Sequence, residues 1–362
     1  MKVLISGGGT GGHIFPAISI ANALRRRDSA TEILFVGAEG RMEMERVPAA
    51  GYEIVGLPVA GFDRHRLWRN VGVMVKLCRS MMRARKVLRD FNPDIAVGVG
   101  GYASGPMLKE AQRRGVPTLI QEQNSYPGVT NKLLAKKAAA ICVAYEKTER
   151  FFPEHLIEIT GNPVRAALLE CQLSQAEAKQ QLGMDSERLM VFVTGGSLGA
   201  RTINEAVKQN IDALTAGGTQ ILWQTGRLYA DECSEIAKSH DGVDATPFVA
   251  DMAVAYRAAD LVVARAGACT ISELQLLGKP AILIPSPNVA EDHQRKNGQA
   301  LVDKGAARMI LDAEAVEKLP GVAAELLASE SERRSLVDNI LKMALPDADA
   351  KIVDRIYSIL QR

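Results

Sequence analysis

Two glycine-rich segments constrain the fold of this chain more than any other feature. GGGTGGH (7–13) follows the apolar run 2–6, and GGSLGAR (195–201) follows the apolar run that begins at residue 189. Glycine is needed where a strand turns tightly into a helix, and the N–H groups at a helix start favour an anionic ligand. The pattern predicts two phosphate-binding loops, one opening each domain. A tight turn without a ligand is the alternative for either segment.

Short apolar runs alternate with helical patterns along the whole chain. The predicted strands are 2–6, 32–37, 94–100, 117–123, 140–145, 189–196, 220–226, 261–267 and 280–287, and the predicted helices include 16–27, 68–90, 201–216 and 315–328. Continuous apolar strands separated by helices are typical of a parallel sheet covered on both faces. We therefore predict an α/β protein with two Rossmann-like domains, 1–160 and 161–345. We expect the last helix, in 346–362, to pack back on the first domain.

Composition narrows the class of protein. The 362 residues are 47% hydrophobic and 24% charged, as in an ordinary globular chain. The five cysteines are scattered, without a CxxC pair, which argues against a disulfide framework or a zinc site. Neither a signal peptide nor an apolar stretch of about 20 residues is evident, so we expect a cytoplasmic protein.

Charge is divided unevenly between the two halves. Residues 1–160 hold 23 lysines and arginines against 15 acidic residues, although the whole chain carries a net charge of only +2. Much of the excess lies in 62–90, where nine basic residues accompany apolar residues at helical spacing. Core packing explains part of the apolar stripe but not the basic excess, so we predict contact with an anionic membrane surface. Nucleic-acid binding is the rival, and it lacks aromatic interleaving or a known motif.

Polar residues in the second half suggest contacts with a sugar. Glu273 follows the glycine turn in ARAGACTISEL (264–274), where a carboxylate can accept hydrogen bonds from both hydroxyls of a ribose. Gln294 and Asn297 are three residues apart and share a helix face, which suits sugar hydroxyls. A solvated or ion-paired glutamate and an exposed polar helix surface are the plainer alternatives.

Together these motifs closely resemble the MurG family, the UDP-N-acetylglucosamine transferases that convert lipid I to lipid II in peptidoglycan synthesis. The resemblance is carried by 7–17, 100–106, 122–136, 161–165, 195–201, 248–256, 264–273 and 291–298. It implies a GT-B fold, with two Rossmann-like domains whose parallel sheets face a deep cleft. It also implies UDP-GlcNAc as donor, lipid I (undecaprenyl-diphosphate-MurNAc-peptide) as acceptor, and a peripheral location on the cytoplasmic face of the bacterial inner membrane.

The resemblance also implies which residues contact the donor. These are Thr10, Gly11, Gly12, Asn124, Arg165, Ser197, Val249, Ala268, Cys269, Thr270, Glu273 and Gln294. Ser197 would contact the diphosphate, the Val249 backbone would contact the uracil with Phe248 beside it, and Glu273 would bind the ribose. Gln294 would contact the GlcNAc hydroxyls, although Ser286 and Pro287 stand where some family members carry a glutamine.

His13 is the candidate general base, because histidine titrates near neutral pH and this one closes the first glycine segment. Its alternative role is to cap or orient the loop. The expected reaction is an inverting displacement in which the MurNAc 4-hydroxyl attacks the GlcNAc anomeric carbon. None of the motifs that carry the resemblance contains an Asp-x-Asp metal motif, so neither an essential metal nor another cofactor is expected.

Three rival functions are kept open. A UDP-GlcNAc 2-epimerase would share the fold and the nucleotide but would not need the basic apolar helix. A Rossmann oxidoreductase would use the G-x-G-x-x-G pattern with Glu39, but it leaves the second glycine segment and Glu273 without a role. The third rival is a non-catalytic nucleotide-sugar-binding or membrane-adaptor module.

Overall fold

The computed structural model describes residues 1–59, 70–196 and 198–361. The chain divides into two units, Met1–Arg165 with Leu345–Arg362, and Ala166–Ala344. Each unit is an α/β layer structure with one parallel sheet, so the predicted fold class is confirmed. The sequence-based boundaries at 160 and 345 lie within a few residues of these divisions.

The first unit contains a seven-stranded sheet in the order β3-β2-β1-β4-β5-β6-β7. Its strands are β1 (Lys2–Ser6), β2 (Glu32–Ala38), β3 (Glu53–Leu57), β4 (Ile95–Gly98), β5 (Thr118–Glu122), β6 (Ala140–Val143) and β7 (Ile157–Ile159). Its helices are α1 (Gly11–Arg27), α2 (Glu43–Ala49), α3 (Asn70–Phe91), α4 (Ser104–Arg113), α5 (Val129–Ala135) and, from the C-terminus, α16 (Ala348–Leu360).

The second unit contains a six-stranded sheet in the order β10-β9-β8-β11-β12-β13. Its strands are β8 (Met190–Thr194), β9 (Gln220–Gln224), β10 (Val243–Thr246), β11 (Leu261–Ala264), β12 (Ala281–Leu283) and β13 (Arg308–Met309). Its helices are α6 (Ala166–Leu169), α7 (Gln175–Gln181), α8 (Arg201–Gln209), α9 (Ile211–Thr215), α10 (Ala230–Lys238), α11 (Met252–Ala258), α12 (Ala268–Leu277), α13 (His293–Val302), α14 (Ala315–Ala328) and α15 (Glu330–Leu341).

Strand alternation builds an apolar core on each face of the first sheet. Val3 and Ile5 of β1 join the cluster that contains α1, whereas Leu4 joins the cluster beneath α3 and α4. Side chains on a strand point alternately to opposite faces, so one apolar run serves both layers. This explains why the central strands read as continuous apolar runs in the sequence.

The C-terminal helix α16 belongs to the first unit. Ile352, Val353 and Ile356 are buried in the core cluster around α1, and Asp349 pairs with Arg26 at 2.5 Å. The chain therefore crosses between the units twice, after Arg165 and before Leu345.

Candidate functional site

The first glycine segment lies at the carboxyl end of β1 and leads into α1. A Cβ at Gly7 would lie 2.1 Å from Cγ2 of Val99, and a Cβ at Gly101 would lie 2.3 Å from the carbonyl oxygen of Gly8. Only glycine allows the backbones of 7–13 and 98–106 to approach so closely. The two segments therefore lie side by side at the sheet edge where ligands of open α/β sheets bind.

His13 sits in the first turn of α1, and its side chain is half-buried. Its Nδ1 atom lies 3.2 Å from Thr10 Oγ1. On the other side of the ring, a Cβ at Gly100 would lie 2.9 Å from Nε2, so this glycine, at φ +93°, leaves room for the imidazole. The predicted base is thus held between the two glycine segments.

A buried carboxylate that the sequence analysis missed supports the first loop. Glu43 accepts hydrogen bonds from the backbone N–H groups of Gly9 and Ala38, both at 2.9 Å. The Gly9 amide is therefore used by the protein itself, and the predicted contacts of this segment rest on Thr10, Gly11 and Gly12. Glu43 starts α2, which is far from the loop in sequence, and no local motif indicates the contact.

The two other predicted residues of the first unit are also anchored. Asn124 follows β5, and its backbone N–H and Nδ2 donate to Glu122 Oε1 at 3.0 and 3.2 Å. The Arg165 guanidinium lies 5.0 Å from the ring centre of Phe15 in α1, a cation–π contact.

In the second unit, a chain of hydrogen bonds joins Val249 to the second glycine segment. The Val249 N–H donates to Gln224 Oε1 at 3.0 Å, and Gln224 Nε2 donates to Thr194 Oγ1 at 3.0 Å. The Gly196 N–H donates to the same hydroxyl at 3.2 Å. Ser197, the residue predicted to contact the diphosphate, lies outside the described residues.

Glu273 is buried on α12, so the alternative of a solvated glutamate is wrong. Its Oε2 accepts a hydrogen bond of 2.9 Å from the hydroxyl of Tyr256, which itself packs edge-on against Phe192. No local sequence pattern indicates Tyr256, because only the fold brings α11 close to α12.

The first turn of α12 consists of Ala268, Cys269 and Thr270 and follows β11 after a short glycine turn. The first N–H groups of a helix have no intrahelical acceptor, and the helix dipole adds partial positive charge there. This turn and Glu273 therefore place anion-binding amides and a carboxylate on one helix.

Gln294 and Asn297 both lie on α13 but in different surroundings. Gln294 is half-buried, and its Oε1 accepts from the Ser286 N–H at 2.8 Å. Asn297 is fully buried, so it does not belong to an exposed polar surface. The loop that contains Ser286 is thereby tied to the predicted sugar-binding glutamine.

Arg265 is a further cation at the carboxyl edge of the second sheet, and it was not among the predicted site residues. It follows β11, forms an ion pair with Asp312, and donates to the Ile284 carbonyl at 3.0 Å. Thr202, in the first turn of α8, donates to Asp312 at 2.8 Å. The cation is thus fixed beside the helix that the second glycine segment opens.

Comparison with known proteins identifies the family. The N-terminal and C-terminal domain models of glycosyltransferase family 28 match residues 3–143 and 190–352. The chain is 54% identical to the UDP-N-acetylglucosamine--N-acetylmuramyl-(pentapeptide) pyrophosphoryl-undecaprenol N-acetylglucosamine transferase of Phocaeicola vulgatus, over 100% of this chain and 97% of that protein.

The chain belongs to the MurG family.

The structural comparison agrees with this membership. The crystal structure of Acinetobacter baumannii MurG superposes with a TM-score of 0.75 at 26% identity, and covers 99% of each chain. The chain therefore has the GT-B fold of these glycosyltransferases. A putative UDP-N-acetylglucosamine 2-epimerase from Listeria monocytogenes has a TM-score of 0.73 but 15% identity, over 99% of this chain and 96% of that one, which is likeness of fold alone. Full-length identity above 50% thus favours the MurG family over the epimerase and the oxidoreductase.

Within 1–59, 70–196 and 198–361, no helix is both long and apolar enough to cross a membrane. Within the same ranges, no three His, Cys, Asp or Glu side chains are grouped so that they could hold a metal ion.

Proposed function

We propose that the protein transfers GlcNAc from UDP-GlcNAc to the MurNAc 4-hydroxyl of lipid I and so forms lipid II for peptidoglycan synthesis. The observation that carries the proposal is the 54% identity, along the whole chain, to a protein named for this transfer. The two glycine segments at the carboxyl edges of their sheets support it, because the donor and the acceptor both contain a diphosphate.

The donor is assigned to the second unit. The amides of Ala268, Cys269 and Thr270 would bind the diphosphate and stabilise the charge that develops as UDP leaves. Ser197 and its glycine segment would add donors to the same group. Glu273, oriented by the Tyr256 hydroxyl, would accept hydrogen bonds from the ribose hydroxyls.

The hydrogen bonds of the second unit refine two predicted contacts. The Val249 N–H is engaged by Gln224, so the Val249 carbonyl is the group we assign to the uracil N3–H. Gln294 Oε1 is engaged by Ser286, so its NH2 group would donate to the GlcNAc hydroxyls. The contribution of Thr10, Gly11, Gly12, Asn124 and Arg165 to donor binding stays a prediction.

His13 is assigned as the general base. If Nδ1–H donates to the Thr10 hydroxyl, Nε2 carries the lone pair that accepts a proton. In a single displacement, the MurNAc 4-oxygen bonds to the anomeric carbon, its proton passes to Nε2, and the bond to the UDP oxygen breaks with its electron pair. The configuration inverts, which gives a β-linked disaccharide.

The proposal includes peripheral binding to an anionic membrane through 62–90, on the cytoplasmic face. In the described part of this stretch, Met74, Val75 and Met82 on α3 are 49–59% exposed, although large apolar side chains are usually buried. Lys76 and Arg79 are exposed between them. Arg83 and Arg85 pair with Glu39 and Glu110, so they contribute less to the surface charge.

The test is incubation of the purified chain with labelled UDP-GlcNAc and a lipid I analogue. We expect one UDP and one disaccharide-lipid per transfer, and loss of the product in His13→Ala with donor binding retained. Release of ManNAc without acceptor would favour the epimerase, and nicotinamide reduction would favour the oxidoreductase. Donor binding without any product would favour the non-catalytic module.

A further inference from the structure

Glu122 is a buried carboxylate at the end of β5 that is saturated with hydrogen bonds. Oε1 accepts from the backbone N–H and Nδ2 of Asn124, and Oε2 accepts from the Gly128 N–H at 3.1 Å and from Asn131 Nδ2 at 2.8 Å. A carboxylate offers about four acceptor positions, and these four N–H donors fill them. Glu122 therefore organises the loop 123–128 and the start of α5, and has no capacity left for a ligand.

This arrangement fixes the orientation of the Asn131 amide. Because Glu122 can only accept, the NH2 group of Asn131 must face it, and Oδ1 must point away. The flipped amide would set two oxygen atoms against each other.

Asn131 Oδ1 is left without a donor. The residue is 2% exposed, and no donor in the described ranges 1–59, 70–196 and 198–361 hydrogen-bonds to this oxygen. A buried amide oxygen without a partner costs free energy, and native proteins leave few of them. A ligand that supplies an O–H or N–H would remove this cost.

The location of Asn131 connects it with the candidate base. A Cβ at Gly100 would lie 2.9 Å from His13 Nε2 and 3.9 Å from Asn131 Nδ2, so the imidazole and the amide flank the same glycine. Both lie at the carboxyl edge of the first sheet.

We propose that Asn131 is an acceptor-binding residue whose Oδ1 accepts a hydrogen bond from the N-acetylmuramyl group, and that Glu122 is the residue that positions it. The proposal rests on the proposed function, since it takes its ligand from that reaction. Two groups on this sugar could donate the hydrogen bond: the 6-hydroxyl and the N–H of the N-acetyl group.

The experiment measures acceptor binding and transfer separately. A soluble N-acetylmuramyl-peptide diphosphate is titrated calorimetrically into the wild type, Asn131→Ala and Glu122→Gln, and steady-state transfer is measured with the same acceptor. We expect Asn131→Ala to weaken acceptor binding about tenfold or more, as for a lost hydrogen bond in a buried site, with donor affinity unchanged. Glu122→Gln should weaken it as well, because the amide is no longer held in one orientation.

Acceptor analogues identify the bonded group and separate binding from structure. One analogue lacks the 6-hydroxyl, and the other carries an N-methylated acetamido group. Asn131→Ala should cause no further loss with the analogue that lacks the matching donor, while it keeps its full effect on the other. Equal losses with the parent and both analogues, or unchanged acceptor binding, would overturn the proposal.

Gln112→Ala is the matched control. Gln112 Nε2 donates to the Leu134 carbonyl at 2.9 Å, and this hydrogen bond braces α5 at a residue other than Asn131. We expect it to lower stability while the selectivity among the three acceptors is retained. If the wild type binds the acceptor and Asn131→Ala does not, but no disaccharide forms, then the transfer reaction is wrong and the acceptor site stands.

Discussion

At the scale of single residues, burial distinguishes Glu273 from an ordinary solvated glutamate on a helix. The residue is 8% exposed, and its carboxylate accepts a hydrogen bond from the Tyr256 hydroxyl. Glu273→Gln should weaken UDP-GlcNAc binding by about 1.5–3 kcal/mol, roughly 10- to 150-fold in Kd, because a charged acceptor is lost. Tyr256→Phe should cost less, about 1 kcal/mol, because only the orientation of the carboxylate is affected.

Isothermal titration with UDP-GlcNAc checks both variants. Glu330→Gln, on the exposed start of α15, is the control and should leave the affinity unchanged. Unchanged affinity in Glu273→Gln would remove this residue from the ribose.

The cysteines give a second residue-level prediction, since their surroundings differ. Cys78 is exposed, Cys269 is half-buried in the first turn of α12, and Cys142 and Cys233 are buried. Burial raises the pKa of the Cys233 thiol to about 11 and that of Cys142 further, so few thiolates form near neutral pH. With a maleimide, Cys78 should react first and Cys142 and Cys233 only after unfolding.

The informative site is Cys269, because it lies among the amides assigned to the diphosphate. UDP-GlcNAc should slow its alkylation and leave the rate at Cys78 unchanged, as read by mass spectrometry of the peptides. Cys269→Ser identifies the peptide. Equal rates at Cys269 with and without UDP-GlcNAc would contradict the assignment of the diphosphate to this turn.

At the scale of elements, the strands that the sequence pattern did not predict share one physical feature. All nine predicted strands are present, and β3, β7, β10 and β13 were not predicted. These four are the edge strands of the two sheets, and they are only partly buried. An edge strand has no neighbour on one side and needs no continuous apolar run, so it leaves a weak signal in the sequence.

The candidate site was only partly predictable from the sequence. The glycine segments and the start of α12 follow from motifs that lie together in the sequence. Glu43, Glu122 and Tyr256 act through partners that are brought near by the fold, so no local pattern indicates them. A motif predicts which residues form a loop, but not which buried side chain accepts hydrogen bonds from the N–H groups of that loop.

The two halves of helix α3 have different surroundings. Its C-terminal half buries Ala84, Val87 and Leu88 in the core, whereas its N-terminal half exposes apolar side chains beside Lys76 and Arg79. Each basic residue near an anionic surface contributes about 1 kcal/mol. Replacing Lys76 and Arg79 by glutamine should therefore weaken binding to phosphatidylglycerol vesicles by about 2 kcal/mol, roughly 30-fold.

Vesicle co-sedimentation measures this effect, and added salt should weaken the wild type in the same direction. Lys304→Gln with Lys342→Gln removes the same charge from an exposed part of the second unit and should have little effect. Equal binding of all three proteins would count against α3 as a membrane-binding element. Arg85 is a poor choice for this test, because it is paired with the buried Glu110.

At the scale of the whole molecule, the C-terminal helix makes the first unit depend on residues at the far end of the chain. Ile352 is fully buried against the core around α1, and Leu319 is fully buried in the core of the second unit. Truncating a buried Leu or Ile to Ala costs about 2–5 kcal/mol. Ile352→Ala should therefore accelerate amide hydrogen exchange in the strands of residues 1–165, while Leu319→Ala should do so in residues 166–344. The comparison is internally controlled, because each variant leaves the other unit as reference. Equal acceleration across both units in both variants would instead mean that they open as one cooperative body.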